Sequence, residues 1–132
     1  MDNSIYTTSE DNVNDLKKNW SRSDAYVVEI DGKSIGSWED YITKIEKAFD
    51  FPTSCIDTVD GYLDWIRDLS WIDKESYKLV IHHYNYFLAK EPKLKASIMN
   101  DFKEIILPFW QDEVQTVVIG GEPRSFDVYL VE

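Results

Sequence analysis

Four aspartates, Asp57, Asp60, Asp64 and Asp68, recur at steps of three and four residues. On a helix they fall within about an 80° arc. Val59, Tyr62, Leu63, Ile66 and Leu69 lie on the opposite side. The pattern predicts an amphipathic helix over residues 58–69 whose wet face is mostly anionic, with Arg67 at one edge. Like charges at these spacings repel, at a cost of about 0.2–0.5 kcal/mol per pair. A fold has no need of them; a surface that meets something cationic has. Asp60 and Asp64 are therefore contact residues for a cationic partner, or else parts of a solvated face. Asp57 either caps the helix or joins the contact face, and Asp68 tunes the field. Trp65 stands beside the acidic arc, as an interface anchor or as a cover for the core edge. Gly61 permits close approach of a partner or is tolerated drift, since a helix-interior glycine costs about 0.5–1 kcal/mol against alanine.

Other chemistries fit these residues less well. A Mg²⁺ site takes one or two carboxylates plus further oxygens, and the segment adds only Arg67. Glycoside hydrolysis needs carboxyls on opposite sides of a sugar, which one helix face does not supply. His82 and His83 are adjacent and point to opposite sides of a strand. Cys55 is remote from them in sequence, so no zinc set is formed. The chain has no phosphate-binding glycine loop and no basic stripe for nucleic acid. Two methionines are too few for a Met-rich groove. No enzyme, cofactor or metal is expected.

The elements that must hold the aspartates are legible from periodicity. Residues 25–30 (AYVVEI) form a β-rich run, and Asp31-Gly32 is a turn signal, with 33–35 returning as a short edge. Trp38, Tyr41, Ile42, Ile45, Ala48 and Phe49 trace one face of a first helix, which Pro52 separates from the acidic one. Residues 77–83 (YKLVIHH) read as a buried strand. Leu94, Ile98, Phe102, Ile105 and Ile106 mark a further helix that Pro108 kinks, restarts or ends. Residues 116–119 (TVVI) and 126–131 (FDVYLV) are strand-like, as a hairpin or with the first run as a loosely packed loop. Residues 1–24 read as a polar N-terminal extension, carrying at most a short helix over 11–20. Residues 25–132 form the domain, an α/β fold with a small parallel sheet and helices against it.

Length and composition agree. The 132 residues suit one domain, and 43% apolar content suffices for a core. Asp and Glu number 25 against 14 Lys and Arg, a formal charge of -11 that repels phosphate backbones and anionic membranes and attracts basic proteins. The single cysteine excludes an internal disulfide and fits a reducing compartment. There is no signal-peptide pattern and no apolar run near the ~20 residues that span a bilayer. A cytoplasmic protein is expected, one that binds neither nucleic acid nor membrane.

Taken together, several runs resemble the barstar family of intracellular ribonuclease inhibitors. They are Ile30 through Ile35 (IDGKSI), Ser37 through Tyr41 (SWEDY), Phe51-Pro52, and Asp60 through Leu69 (DGYLDWIRDL). Lys78 through Ile81 and Phe126 through Val131 resemble that family's later strands. The resemblance implies an α/β fold with a three-stranded parallel sheet flanked by helices. It implies that the acidic helix and the loop before it plug a nuclease active site. The family's two key aspartates fall at Asp60 and Asp64, the second mimicking a substrate phosphate. Its interface tyrosine falls at Ser54, its loop glycine at Ile56, its asparagine at Thr58 and its interface tryptophan at Leu63. Its helix-four glutamate is best matched by Asp112, with Gln111 and Glu104 as rivals.

The expected function is inhibition of a basic secreted ribonuclease or related toxin by an acidic helix, from a protein that is a monomer when free. The alternative is a protein-binding or immunity module on the same fold whose partner is not a ribonuclease.

Overall fold

The computed structural model describes residues 2–132. One sheet contains four parallel strands in the order β1-β4-β3-β2: β1 (Ile5–Thr8), β2 (Ala25–Asp31), β3 (Ser76–His82) and β4 (Ser125–Val131). The helices are α1 (Glu10–Trp20), α2 (Trp38–Ala48), α3 (Val59–Ile66) and α4 (Pro92–Asp101). The α/β architecture is the one expected, but the sheet has four strands rather than three. The extra strand comes from the polar N-terminal segment. Ile5 pairs with Val128 and Thr8 with Val131, so β1 closes the edge that β4 would otherwise leave bare.

Both faces of the sheet are covered, as a parallel sheet requires. Val28, Leu79 and Val128 stand in register on one face, where α2, α3 and α4 supply Ile42, Tyr62 and Ile98 to the main core. On the other face Val80, Tyr129 and Val131 pack against Val13 and Trp20 of α1. Each early helix starts on a side-chain cap. Ser9, Ser37 and Thr58 accept from the backbone N–H groups of Asn12, Asp40 and Gly61. The expected Asp31-Gly32 turn is a short 3₁₀ turn, Gly32–Ser34, with no returning strand. Glycine is required there because a Cβ would lie 2.5 Å from the carbonyl oxygen of His83.

Pro108 neither ends nor restarts the last helix. α4 runs on through two wide π turns, Phe102–Ile106 and Phe109–Glu113, that flank the proline, and then a final turn, Val114–Val117. The wide turns absorb the missing N–H and the ring of Pro108. The expected strand or loop at 116–119 is therefore corrected. Its first residues finish a helix and no hairpin forms. The order along the helix outweighs the β preference of the Thr-Val-Val run.

His82 shows how α1 is held on the second face. Its Nδ1 lies 2.7 Å from Glu10 of α1, and its Nε2 lies 2.9 Å from Glu29 of β2. Lys17 of α1 also reaches Glu29, at 3.1 Å. An imidazole can donate from both nitrogens only when protonated. Burial opposes the charged ring, but the hydrogen bonds to Glu10 and Glu29 outweigh it, and the His82 pKa is raised above its ordinary 6.5. The clamp therefore stabilises the fold fully below pH 6.5 and loses its contribution as pH rises through the raised folded-state value. Melting temperatures taken from about pH 5 to 8 should fall more steeply for the parent than for His82→Gln. Equal slopes would rule out the clamp.

Candidate functional site

The acidic segment is helical, though shorter than its pattern suggests. α3 ends at Ile66, with Arg67 as its C-cap. One long-range and one local hydrogen bond stop it there. The Trp110 indole donates to the Ile66 carbonyl at 3.0 Å, and Arg67 Nε donates to the Leu63 carbonyl at 3.0 Å. Leu69 then turns with a φ of 53° to bury its side chain. Asp60 and Asp64 thus share the helix face, whereas Asp57 precedes the cap and Asp68 lies in the turn beyond. Asp68 accepts from the Ser70 N–H at 3.2 Å. The capping role open to Asp57 belongs to Thr58, whose Oγ1 accepts from Gly61 N–H at 3.1 Å.

The two helical carboxylates are free to meet a partner. Asp60 is exposed and has no ion-pair partner among the described residues. Asp64 is 77% exposed, and its one ion-pair partner among the described residues is Arg67 at 3.5 Å. An exposed pair of that length is worth about 0–1 kcal/mol, too little to hold Asp64 back. Asp60 also sits in the first turn, where the helix dipole favours an anion. Tyr62 and Ile66 are fully buried beneath this face and Leu63 partly so. Val59, expected on the buried side, is exposed beside Asp60.

The loop before α3 is pinned from several directions. Glu46 of α2 accepts from the Cys55 N–H at 2.9 Å and from Ser54 Oγ at 3.2 Å. The Trp38 indole donates to the Ile56 carbonyl at 2.8 Å, and the Trp65 indole to Thr53 Oγ1 at 3.0 Å. Trp65 also packs edge-on against Trp71, with ring centres 5.4 Å apart. Trp65 is therefore a strut between helix and loop that keeps one side in water. Cys55 is buried, and that burial, with Glu46 and Asp64 nearby, pushes its thiol pKa up. It is a packing residue beneath Gly61. A Cβ on Gly61 would lie 2.8 Å from Thr58 Cγ2 and 3.4 Å from Cys55 Sγ, so the glycine serves the cap and the loop.

On the far side of α3 a cleft of about 550 Å³ opens between the end of the helix and the segment that returns to β4. Asp64 and Asp68 line one wall, and Glu122 lines the other. Asp112 is exposed but does not line the cleft. Gln111 is engaged elsewhere, accepting from the Asn3 N–H at 2.9 Å, and Glu104 stands exposed further back along the helix. The structure therefore brings Asp60, Asp64, Leu63 and Trp65 together on α3, with Ser54 and Asp57 in the loop beside them and Asp68 at the cleft. Sequence reasoning missed Glu46 and Glu122. Glu46 looks like any solvated helix carboxylate until the loop folds over it, and Glu122 lies in a run read only as a turn. Among the described residues no group of three His, Cys, Asp or Glu is placed to hold a metal ion.

A family model described as Barstar (barnase inhibitor) matches residues 25–120, which takes in α2, the pinned loop, α3 and the last helix. β1, α1 and β4 lie outside the match. No curated protein and no solved structure matches the chain.

Proposed function

The chain belongs to the barstar family, and from that premise we propose that it inhibits a basic secreted ribonuclease or related toxin from the cytoplasm of the cell that makes it. Members of the family are inhibitors that bind a protein and catalyse nothing, and this chain is not an enzyme. The observation that carries the finer reading is the pair Asp60 and Asp64, one helical turn apart, exposed, and without strong partners of their own. An arginine in a nuclease cleft binds phosphate through a planar fork of N–H donors, and a carboxylate meets the same fork bidentately. α3 and the loop at 53–58 would fill the cleft as a monomeric wedge. The -11 formal charge speeds encounter with a cationic protein.

A second reading has support of its own. Ser54, Ile56, Thr58 and Leu63 stand where the resemblance places the family's interface tyrosine, loop glycine, asparagine and interface tryptophan, and the Trp65 indole is spent on Thr53. These changes favour a partner shaped differently from the family's usual nuclease, including one that is not a ribonuclease.

Titration of the protein into basic microbial ribonucleases, read by cleavage of a fluorogenic oligoribonucleotide, separates the two. Stoichiometric loss of cleavage, with an association rate that falls as salt rises, supports inhibition. Full cleavage by every nuclease at micromolar inhibitor, alongside specific capture of a basic protein without nuclease activity, would transfer the site to the second reading.

A further inference from the structure

The cleft beside α3 has features that the phosphate-mimicking face does not use. Its interior is apolar, built from Leu69, Phe109, Trp110 and Val114. Its charged lining is four carboxylates (Asp64, Asp68, Asp73, Glu122) against two guanidiniums, Arg67 and Arg124. Both arginines are already committed. Arg67 lies over the Phe109 ring at 5.8 Å and donates to the Leu63 carbonyl. Arg124 donates to the Lys74 carbonyl and pairs with Asp73 at 3.0 Å. Asp68 and Glu122 have no ion-pair partner among the described residues, so the rim keeps a surplus of two negative charges.

At the cleft mouth stands a second unusual feature. Val117, Val118 and Ile119 are consecutive and exposed, Ile119 fully so. The turn that projects them is built for it. Gly121 N–H bonds back to the Val118 carbonyl at 2.9 Å, and Gly120 takes a φ of 74°. An apolar tip held out by glycines beside an anionic cleft is a contact surface rather than a folding device.

We propose that this cleft is a socket for a long cationic side chain, arginine or lysine, which the partner protein presents next to an apolar residue that covers the 117–119 tip. The inference rests on the reading above that α3 faces a basic protein. The methylene stem of such a side chain covers the apolar floor while its charged end meets Asp68 and Glu122. A purely apolar side chain leaves the rim carboxylates desolvated and unpaired. A second copy of this chain is a poor occupant, because each copy carries a formal charge of -11.

The probes are N-acetyl-arginine amide, N-acetyl-norleucine amide (stem without charge) and guanidinium chloride (charge without stem), each titrated into the isotope-labelled protein and followed by NMR. The arginine amide should give saturable shifts at the Trp110 indole and the amides of Gly120 and Gly121. The other two should bind about tenfold weaker, and Asp68→Asn with Glu122→Gln should weaken the arginine amide about fivefold. N-acetyl-arginyl-leucine amide should bind more tightly than N-acetyl-arginyl-glycine amide, and Ile119→Ser should erase that gain. Equal, non-saturating shifts from all three probes, or undiminished binding by the double variant, would overturn the socket. No nuclease is present in these titrations, so their failure leaves the inhibition assay standing, and the reverse holds too.

Discussion

Asp64→Ala weakens binding to the partner by about 2–5 kcal/mol while the unfolding free energy stays within about 0.5 kcal/mol of the parent. The two halves of this expectation have different origins. In the free protein the Asp64 carboxylate is 77% exposed, and among the described residues it pairs only with Arg67, at 3.5 Å. Removing it costs the fold almost nothing. In the proposed complex the same carboxylate would be stripped of water against a guanidinium, and truncation would leave that guanidinium buried and unpaired. Measured complexes of this kind, the barnase–barstar pair among them, lose binding in this range when one partner of a buried charge pair is truncated. Calorimetric titration of parent and variant, beside urea unfolding of both, measures the two halves separately. Asp60→Ala should follow the same pattern to a smaller extent. If Asp64→Ala and Asp60→Ala both bind as the parent does, α3 is not the contact face.

Much of this site was readable from spacing. The apolar stripe from Trp38 to Phe49 and the acid-over-apolar pattern after Pro52 gave α2 and α3 in the right places, because both helices bury a stripe of their own. Family-specific runs then assigned Asp60 and Asp64, and these are the two aspartates the helix carries outward. Failure begins where a distant residue decides a local ending. Nothing between Asp57 and Leu69 announces that the Trp110 indole will take the Ile66 carbonyl, so Asp68 looked helical and is not. Val59 likewise fits the buried stripe by angle, yet it sits in the first turn, beyond the edge of what α3 covers.

The N-terminal segment and the last helix fail for related reasons. Residues 5–8 (IYTT) carry no apolar alternation of their own. They become a strand because β4 offers an open edge, a cause that lies more than a hundred residues away. Residues 114–117 are helical because the π turns around Pro108 keep the helix going, against a sequence that prefers strand. The Glu122 carboxylate comes to the cleft only through that path. A functional residue supplied by such a segment is invisible to a reading based on local period.

Asp127→Ala costs about 3–5 kcal/mol of stability, the largest loss we expect from any substitution outside the apolar core. Lys78 and Asp127 stand on the second face of the sheet, on neighbouring central strands, with side chains only 11% and 8% exposed. Lys78 Nζ donates to Asp127 Oδ2 at 2.8 Å and to Ser125 Oγ at 3.0 Å, while Asp127 Oδ1 accepts from the Ser4 N–H at 2.9 Å. Alanine at 127 therefore strands an ammonium in the interior and orphans the N–H that leads into β1. A buried pair is weak evidence of net stabilisation, since its desolvation offsets its attraction. What is costly is half of it. The double variant Lys78→Met with Asp127→Asn separates these statements. No charge remains to be buried, and the asparagine oxygen still receives Ser4 N–H. Urea unfolding should show the double variant recovering most of the loss and the single variant unfolding at markedly lower denaturant. If Asp127→Ala alone unfolds within about 1 kcal/mol of the parent, below the cost of one unsatisfied buried group, then the pair does not anchor β1 to the sheet. The N-terminal strand, which lies outside the family match, would then be held by its ladder with β4 and by α1.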